Sequence, residues 1–185
     1  MNKDKLEELI LTKSIYNKGL ESTYKEYVHE ITGITLPESM KDFYTGPAST
    51  KFHGSNPYGL IQHSLCVYKC ALDLATAFNM KENEINPIAC IFHDLCKANA
   101  YKPVATGYGY AYNSDMIVLP HGSESVIRLR NLGIVLPVSW ELAVAYHMGA
   151  FNPGDIQNYS NACKKYKEVL LLHTADMMAT SIYKR

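Results

Sequence analysis

A histidine and an aspartate stand side by side in Cys90-Ile91-Phe92-His93-Asp94-Leu95-Cys96-Lys97, a segment otherwise apolar enough to read as a buried helix. No other feature of the chain restricts its fold as much. Burying an imidazole beside a carboxylate is unfavourable unless a counter-charge is supplied, and a metal cation is the strongest one available. Further ligands must then reach His93 and Asp94 from elsewhere in the chain. Candidates occur in order: His63 in Leu60-Ile61-Gln62-His63-Ser64, His121 in Leu119-Pro120-His121-Gly122, His147 in Ala145-Tyr146-His147-Met148-Gly149, and Asp176 in His173-Thr174-Ala175-Asp176-Met177.

Each candidate falls in or at the edge of a separate helical pattern, so a bundle can point all of them at one centre. Leu6, Leu9 and Ile10 mark a helix over 5–16, and Leu20, Tyr24, Tyr27, Val28 and Ile31 another over 20–31. Pro37 opens a short helix to Tyr44. Gly, Pro, Ser and Asn then crowd 46–59, which reads as a loop delivering the chain to a helix over 60–79 with a Leu65, Tyr68, Leu72, Ala75, Phe78 stripe. Asn86 and Pro87 cap and open the central helix. His93 and Asp94 diverge on it by about 100°, and Lys97 lies one turn beyond His93 on the same face. Tyrosines alternating about Gly107 and Gly109 predict a small hairpin, in which Tyr108, Tyr110 and Tyr112 form a cross-strand ladder or stack on a base. A helix over 123–132 carries Arg128 and Arg130, Pro137 starts the next, and the last runs from 160 to 183 with Val169, Leu170, His173, Asp176, Met177 and Thr180 on one face. The expectation is an all-α domain with a β-hairpin inserted after the central helix, residues 1–44 packing as helices on a core unit of 45–185.

The order His63, His93-Asp94, His121, His147, Asp176, with Lys97 completing His-Asp-x-x-Lys, resembles the HD-domain superfamily of metal-dependent phosphohydrolases over roughly residues 45–180. The resemblance implies a metal site, and His121 and His147 make it similar to the dinuclear subgroup. His63, His93, Asp94 and Asp176 would hold one ion and Asp94, His121 and His147 the other, with Asp94 bridging. Four imidazoles are too many for a magnesium or calcium site and suit two manganese, iron, cobalt, nickel or zinc ions per chain. Two such ions can activate a shared hydroxide toward phosphorus. Asp94 and Lys97 are then the catalytic candidates, Lys97 also binding phosphate. The resemblance makes His53, in the loop before His63, a phosphate or leaving-group binder, and Arg128 is a further candidate for phosphate. The implied activity is hydrolysis of a phosphoester in a nucleotide or related small compound. A phosphodiesterase acting on a dinucleotide, cyclic nucleotide or RNA 3′ end, a non-catalytic nucleotide sensor and a di-iron oxygenase are alternatives.

Composition restricts the partners. With 18 basic and 18 acidic residues in 185, the net charge of zero provides no general field for duplex nucleic acid. No apolar run approaches the roughly 20 residues of a membrane span, and the polar opening Met1-Asn2-Lys3-Asp4-Lys5 is unlike a signal core. Five cysteines without a Cys-x-x-Cys pair read as reduced core residues, in keeping with a cytoplasmic protein.

Overall fold

The computed structural model describes residues 3–12, 19–105, 109–116, 119–149 and 156–183. Among these, nine α-helices and one two-stranded antiparallel hairpin account for the regular structure beyond short 3-10 turns. Helices α1 (Lys3–Leu11), α2 (Leu20–Thr32) and the one-turn α3 (Asp42–Thr45) lead to α4 (Gly59–Leu74) and α5 (Pro87–Phe92). The hairpin β1 (Tyr101–Pro103) and β2 (Tyr110–Tyr112) comes next, followed by α6 (His121–Asn131), α7 (Val138–Ala145), α8 (Ile156–Lys165) and α9 (Lys167–Ser181).

The bundle is built round α4. Thirteen of its 16 residues are buried, leaving only Lys69, Asp73 and Leu74 in touch with solvent toward its end, so most of its surface must be covered. The cover consists of α9, α5, α1 and α3. Gln62, beside His63, adds a polar tie: its amide donates to the Thr12 carbonyl at 2.7 Å and to the Tyr24 hydroxyl at 2.9 Å, and Tyr24 in turn donates to the Leu9 carbonyl. The N-terminal helices are thereby fixed to the ligand-bearing helix. The hairpin pairs Tyr101 with Tyr112 and Pro103 with Tyr110, and the Tyr101 and Tyr112 rings lie 5.3 Å apart, the ladder arrangement. Gly107 and Tyr108 lie outside the described residues. None of the five cysteines forms a disulfide. Among the described residues no helix is long and apolar enough to cross a membrane.

Several elements are shorter or more broken than their periodicity predicts. The 37–44 segment divides into a 3-10 turn, Glu38–Met40, and α3. The 60–79 helix stops at Leu74 and finishes as a 3-10 turn ended by Asn79 at φ 52°. In place of one helix over 160–183 there are two, separated by an extended Tyr166. Lys164 and Lys165 suit the negative end of α8, whereas Lys164 and Lys167 would repel three residues apart on a continuous helix. The buried side of α9 is correspondingly Val169, Leu172, Ala175, Asp176 and Ala179, with Leu170 and Met177 turned toward solvent.

Candidate metal centre

The central helix ends one residue before the His-Asp pair. Asn86 caps α5 by accepting from Ala89 N–H, Pro87 starts it, and Phe92 is its last residue. His93 is the C-cap, and Asp94 departs from helical geometry at φ −106°, ψ 24° before the 3-10 turn Leu95–Lys97. The 100° divergence expected for adjacent helical residues is thus removed, and both side chains turn to one place. His63 comes to it from the first turns of α4, His147 from the turn after α7 and Asp176 from mid-α9.

Five of the six expected ligands meet there. Donor atoms of His63, His93 and Asp176 lie within 4.8 Å of one another, as do those of His93, Asp94 and His147. His63 Nε2 is 3.2 Å from Asp176 Oδ1 and 3.7 Å from Asp94 Oδ2, and His93 Nε2 is 3.4 Å from the same Asp94 oxygen. The other Asp94 oxygen, Oδ1, faces His147 Nε2 at 3.4 Å. One carboxylate therefore shows a different oxygen to each side of the centre. The four other than Asp176 are at most 1% exposed; Asp176 is 8% exposed.

The histidines are held ready for a cation. His93 Nδ1 lies 2.9 Å from the Cys90 carbonyl and His147 Nδ1 2.8 Å from the Val144 carbonyl. A carbonyl only accepts, so each ring carries its proton on Nδ1 and turns the Nε2 lone pair inward. Those two Nε2 atoms and Asp94 Oδ1 are buried with no hydrogen-bond partner among the described residues. Unpartnered buried ring nitrogens and a carboxylate oxygen converging on one place fit a divalent metal, and imidazole with carboxylate is a donor set for transition ions.

The electrostatics keep His93 and the two carboxylates in ligating form, whereas on His147 the neighbouring carboxylate favours a proton that a cation would displace. Burial lowers the His93 pKa, with Asp94 opposing, so the imidazole is neutral. Burial pushes His147 down too, but the adjacent Asp94 carboxylate outweighs it and the net shift is upward. Asp94 itself is buried, which alone would favour its protonated form; Lys97, His93 and His147 overcome this and hold it well below the usual carboxylate range. The same contest, with His63 as the main opponent of burial, leaves Asp176 ionised. No family model, curated protein or solved structure matches the chain. What this centre does has to be argued from its own atoms.

The remaining candidates take different places. Lys97 Nζ is 2.7 Å from Asp94 Oδ2, reached from the 3-10 turn and not along a helical face. Arg128 is drawn inward: Nη1 donates to the Leu95 and Ala98 carbonyls at 3.3 and 3.0 Å, and Nε donates to Glu124. Its described contacts make it a brace for the Asp94–Lys97 turn. The His53 ring lies 4.9 Å from that of His63, tilted 41° to it, its Nε2 buried without a partner among the described residues. Burial, then His63 and Lys97, lower its pKa to about 4, so it is neutral at pH 7. Phe52, His53, Gly54, Ser55, Asn56 and Thr180 line an open cleft of about 500 Å³. Thr180 Oγ1 donates to Asp176 Oδ1 at 3.4 Å, so the cleft adjoins the centre at both His53 and Asp176.

His121, the first residue of α6, joins neither donor group among the described residues; its Nδ1 is 3.4 Å from Cys96 Sγ. The sequence reading missed Cys96 and Ser125 as its neighbours. Ser125 is one turn along α6 from His121, and that spacing was the available signal. His173 supports the centre from behind by donating Nδ1–H to the His147 carbonyl at 2.6 Å.

Gly122 sets how closely α6 approaches this side. A Cβ there would run into the carbonyl oxygens of Ala145 and Val144, and the latter orients His147. Gly122→Ala is expected to destabilise the protein by about 2–3 kcal/mol, typical of overpacking, lowering Tm by roughly 5–10 °C. Thermal unfolding checks it; an unchanged Tm would show that α6 can move away freely.

Proposed function

We propose that the chain is a metal-dependent phosphohydrolase of the HD type. It would use two divalent transition ions to cleave a phosphoester of a nucleotide or a related small phosphate compound. The observation that carries the reading is the convergence of the buried, unpartnered His93 and His147 Nε2 and Asp94 Oδ1 with His63 and Asp176. Among the alternatives, a sensor would not require so complete a ligand set.

His63, His93, Asp176 and Asp94 Oδ2 would hold one ion, and His147 with Asp94 Oδ1 the other. Bound there, the ions would supply Lewis acidity toward a phosphoryl oxygen and lower the pKa of water toward neutrality. The chain's own residues do the rest. Lys97 lies on Asp94, fixing the carboxylate and keeping positive charge beside the place where an anionic ester gathers charge. Neutral His53 offers a buried ring nitrogen at the inner end of the cleft, positioned to engage a phosphate or the leaving oxygen. The cleft volume is that of a small-molecule site, and exposed Phe52 at its rim provides a face for a flat group such as a base.

The test is metal analysis of the purified full chain, joined to product release from nucleotide monoesters and from model diesters with manganese, iron, cobalt, nickel or zinc supplied. About two ions per chain and release from a monoester support the reading; release only from diesters transfers it to a phosphodiesterase. Full loading with neither class cleaved would overturn hydrolysis.

A further inference from the structure

His121 differs from the other histidines of the centre in what its Nδ1 meets. His93 and His147 face carbonyls, which fix their protons on Nδ1. His121 faces the Cys96 thiol, which can either donate or accept. A second neighbour fixes the thiol in place. Ser125 is fully buried and its oxygen accepts the Cys96 backbone N–H at 3.1 Å, which holds Cys96 against the His121 ring. Between a neutral thiol and a neutral imidazole the ring nitrogen is the stronger acceptor, sulfur being only a weak one. The thiol proton therefore goes to His121 Nδ1. A neutral imidazole accepting at Nδ1 carries its own proton on Nε2.

We propose that His121 enters the centre as a hydrogen-bond donor through Nε2–H, set in that form by the Ser125, Cys96, His121 chain, and that it holds an anionic group brought to the metals instead of ligating a metal. Its ring rests on Cys96, two residues after Asp94, and the next residue, Gly122, packs on the Ala145 and Val144 carbonyls beside His147, so a group held there is beside the proposed ions, yet among the described residues it stands outside both sets of converging donors. Cys96 is a positioning residue acting through His121. The anion-holding role rests on the phosphohydrolase reading, whereas the proton's location does not.

The experiment is nitrogen-15 NMR of the histidine rings in the metal-free full chain at neutral pH, followed by manganese loading and titration with inorganic phosphate. His93 and His147 are expected with the proton on Nδ1 and His121 with it on Nε2. Cys96→Ala should mix the His121 tautomers, and Cys96→Ser, which keeps a donating hydroxyl, should restore the Nε2–H form. His121→Gln places an amide N–H where Nε2–H stood and should keep both manganese and phosphate binding. His121→Ala should keep the manganese content and weaken phosphate by about tenfold, the loss of one hydrogen bond to a charged group. A proton on Nδ1 of His121 overturns the proposal, as does loss of manganese from His121→Ala or unchanged phosphate affinity in that variant. A protein with the expected tautomers that cleaves no phosphoester leaves the proton assignment standing and removes only the phosphohydrolase reading.

Discussion

Asp94→Asn is expected to reduce phosphoester turnover by about a hundred- to a thousandfold, the scale on which enzymes lose rate when a charge-organising group of the site is removed. The substitution preserves shape, so the effect is chemical. Asp94 addresses both sides of the centre, with Oδ2 toward His63 and His93 and Oδ1 toward His147. An amide retains one accepting oxygen and turns protons toward whatever lies on the other side. It also leaves Lys97, 2.7 Å away, without its counter-charge. Metal content should fall along with turnover, and circular dichroism should remain that of the folded protein. Turnover within tenfold of the parent, measured with saturating metal, would mean that Asp94 is not the shared ligand.

Metal supply is expected to raise thermal stability substantially. The centre brings three imidazoles and two carboxylates within a few ångströms, a concentration of donor atoms that the unfolded chain does not have. An ion binding only the folded form at about a thousand times its Kd adds about 4 kcal/mol, and a chain of this length gains roughly 2–4 °C per kcal/mol. Tm should therefore rise by about 8–16 °C between chelator and saturating ion. Asp94→Asn should lose most of that increment. Equal Tm in chelator and in each of the five candidate ions would show that the converging donors bind no metal in the folded state.

Much of the converging cluster is legible in the sequence because a charged or titratable residue inside an apolar pattern has few explanations. Asp176 on the buried side of α9 and His93-Asp94 after Ile91-Phe92 both stand out in that way. The all-α class and the hairpin followed from periodicity and from glycine-flanked tyrosines. Other features depend on contacts that no local pattern encodes. The release of Asp94 from helical geometry is closed by a turn whose Leu95 and Ala98 carbonyls Arg128 braces from α6. That is why an arginine read as facing phosphate faces the backbone instead. His121 was placed among the ligands by its order in the chain, but the thiol beside its ring comes from a turn 25 residues earlier. Leu170 and Met177 have the character of core residues and the spacing of one face, yet α9 buries the adjoining stripe through Leu172, Ala175 and Ala179, and both turn outward.

The depth of the donors also has a temporal consequence. His63, His93 and His147 are fully enclosed, and Asp176, bonded to Thr180 at the wall of the cleft, is the most exposed of the five. An ion seated on them would leave only by shedding several buried ligands one after another along that single flank. Exchange would then be slow on the scale of a purification, and the metal found in the isolated protein would record which ion was abundant while the chain folded, with its affinity ranking visible only after unfolding and refolding in competition.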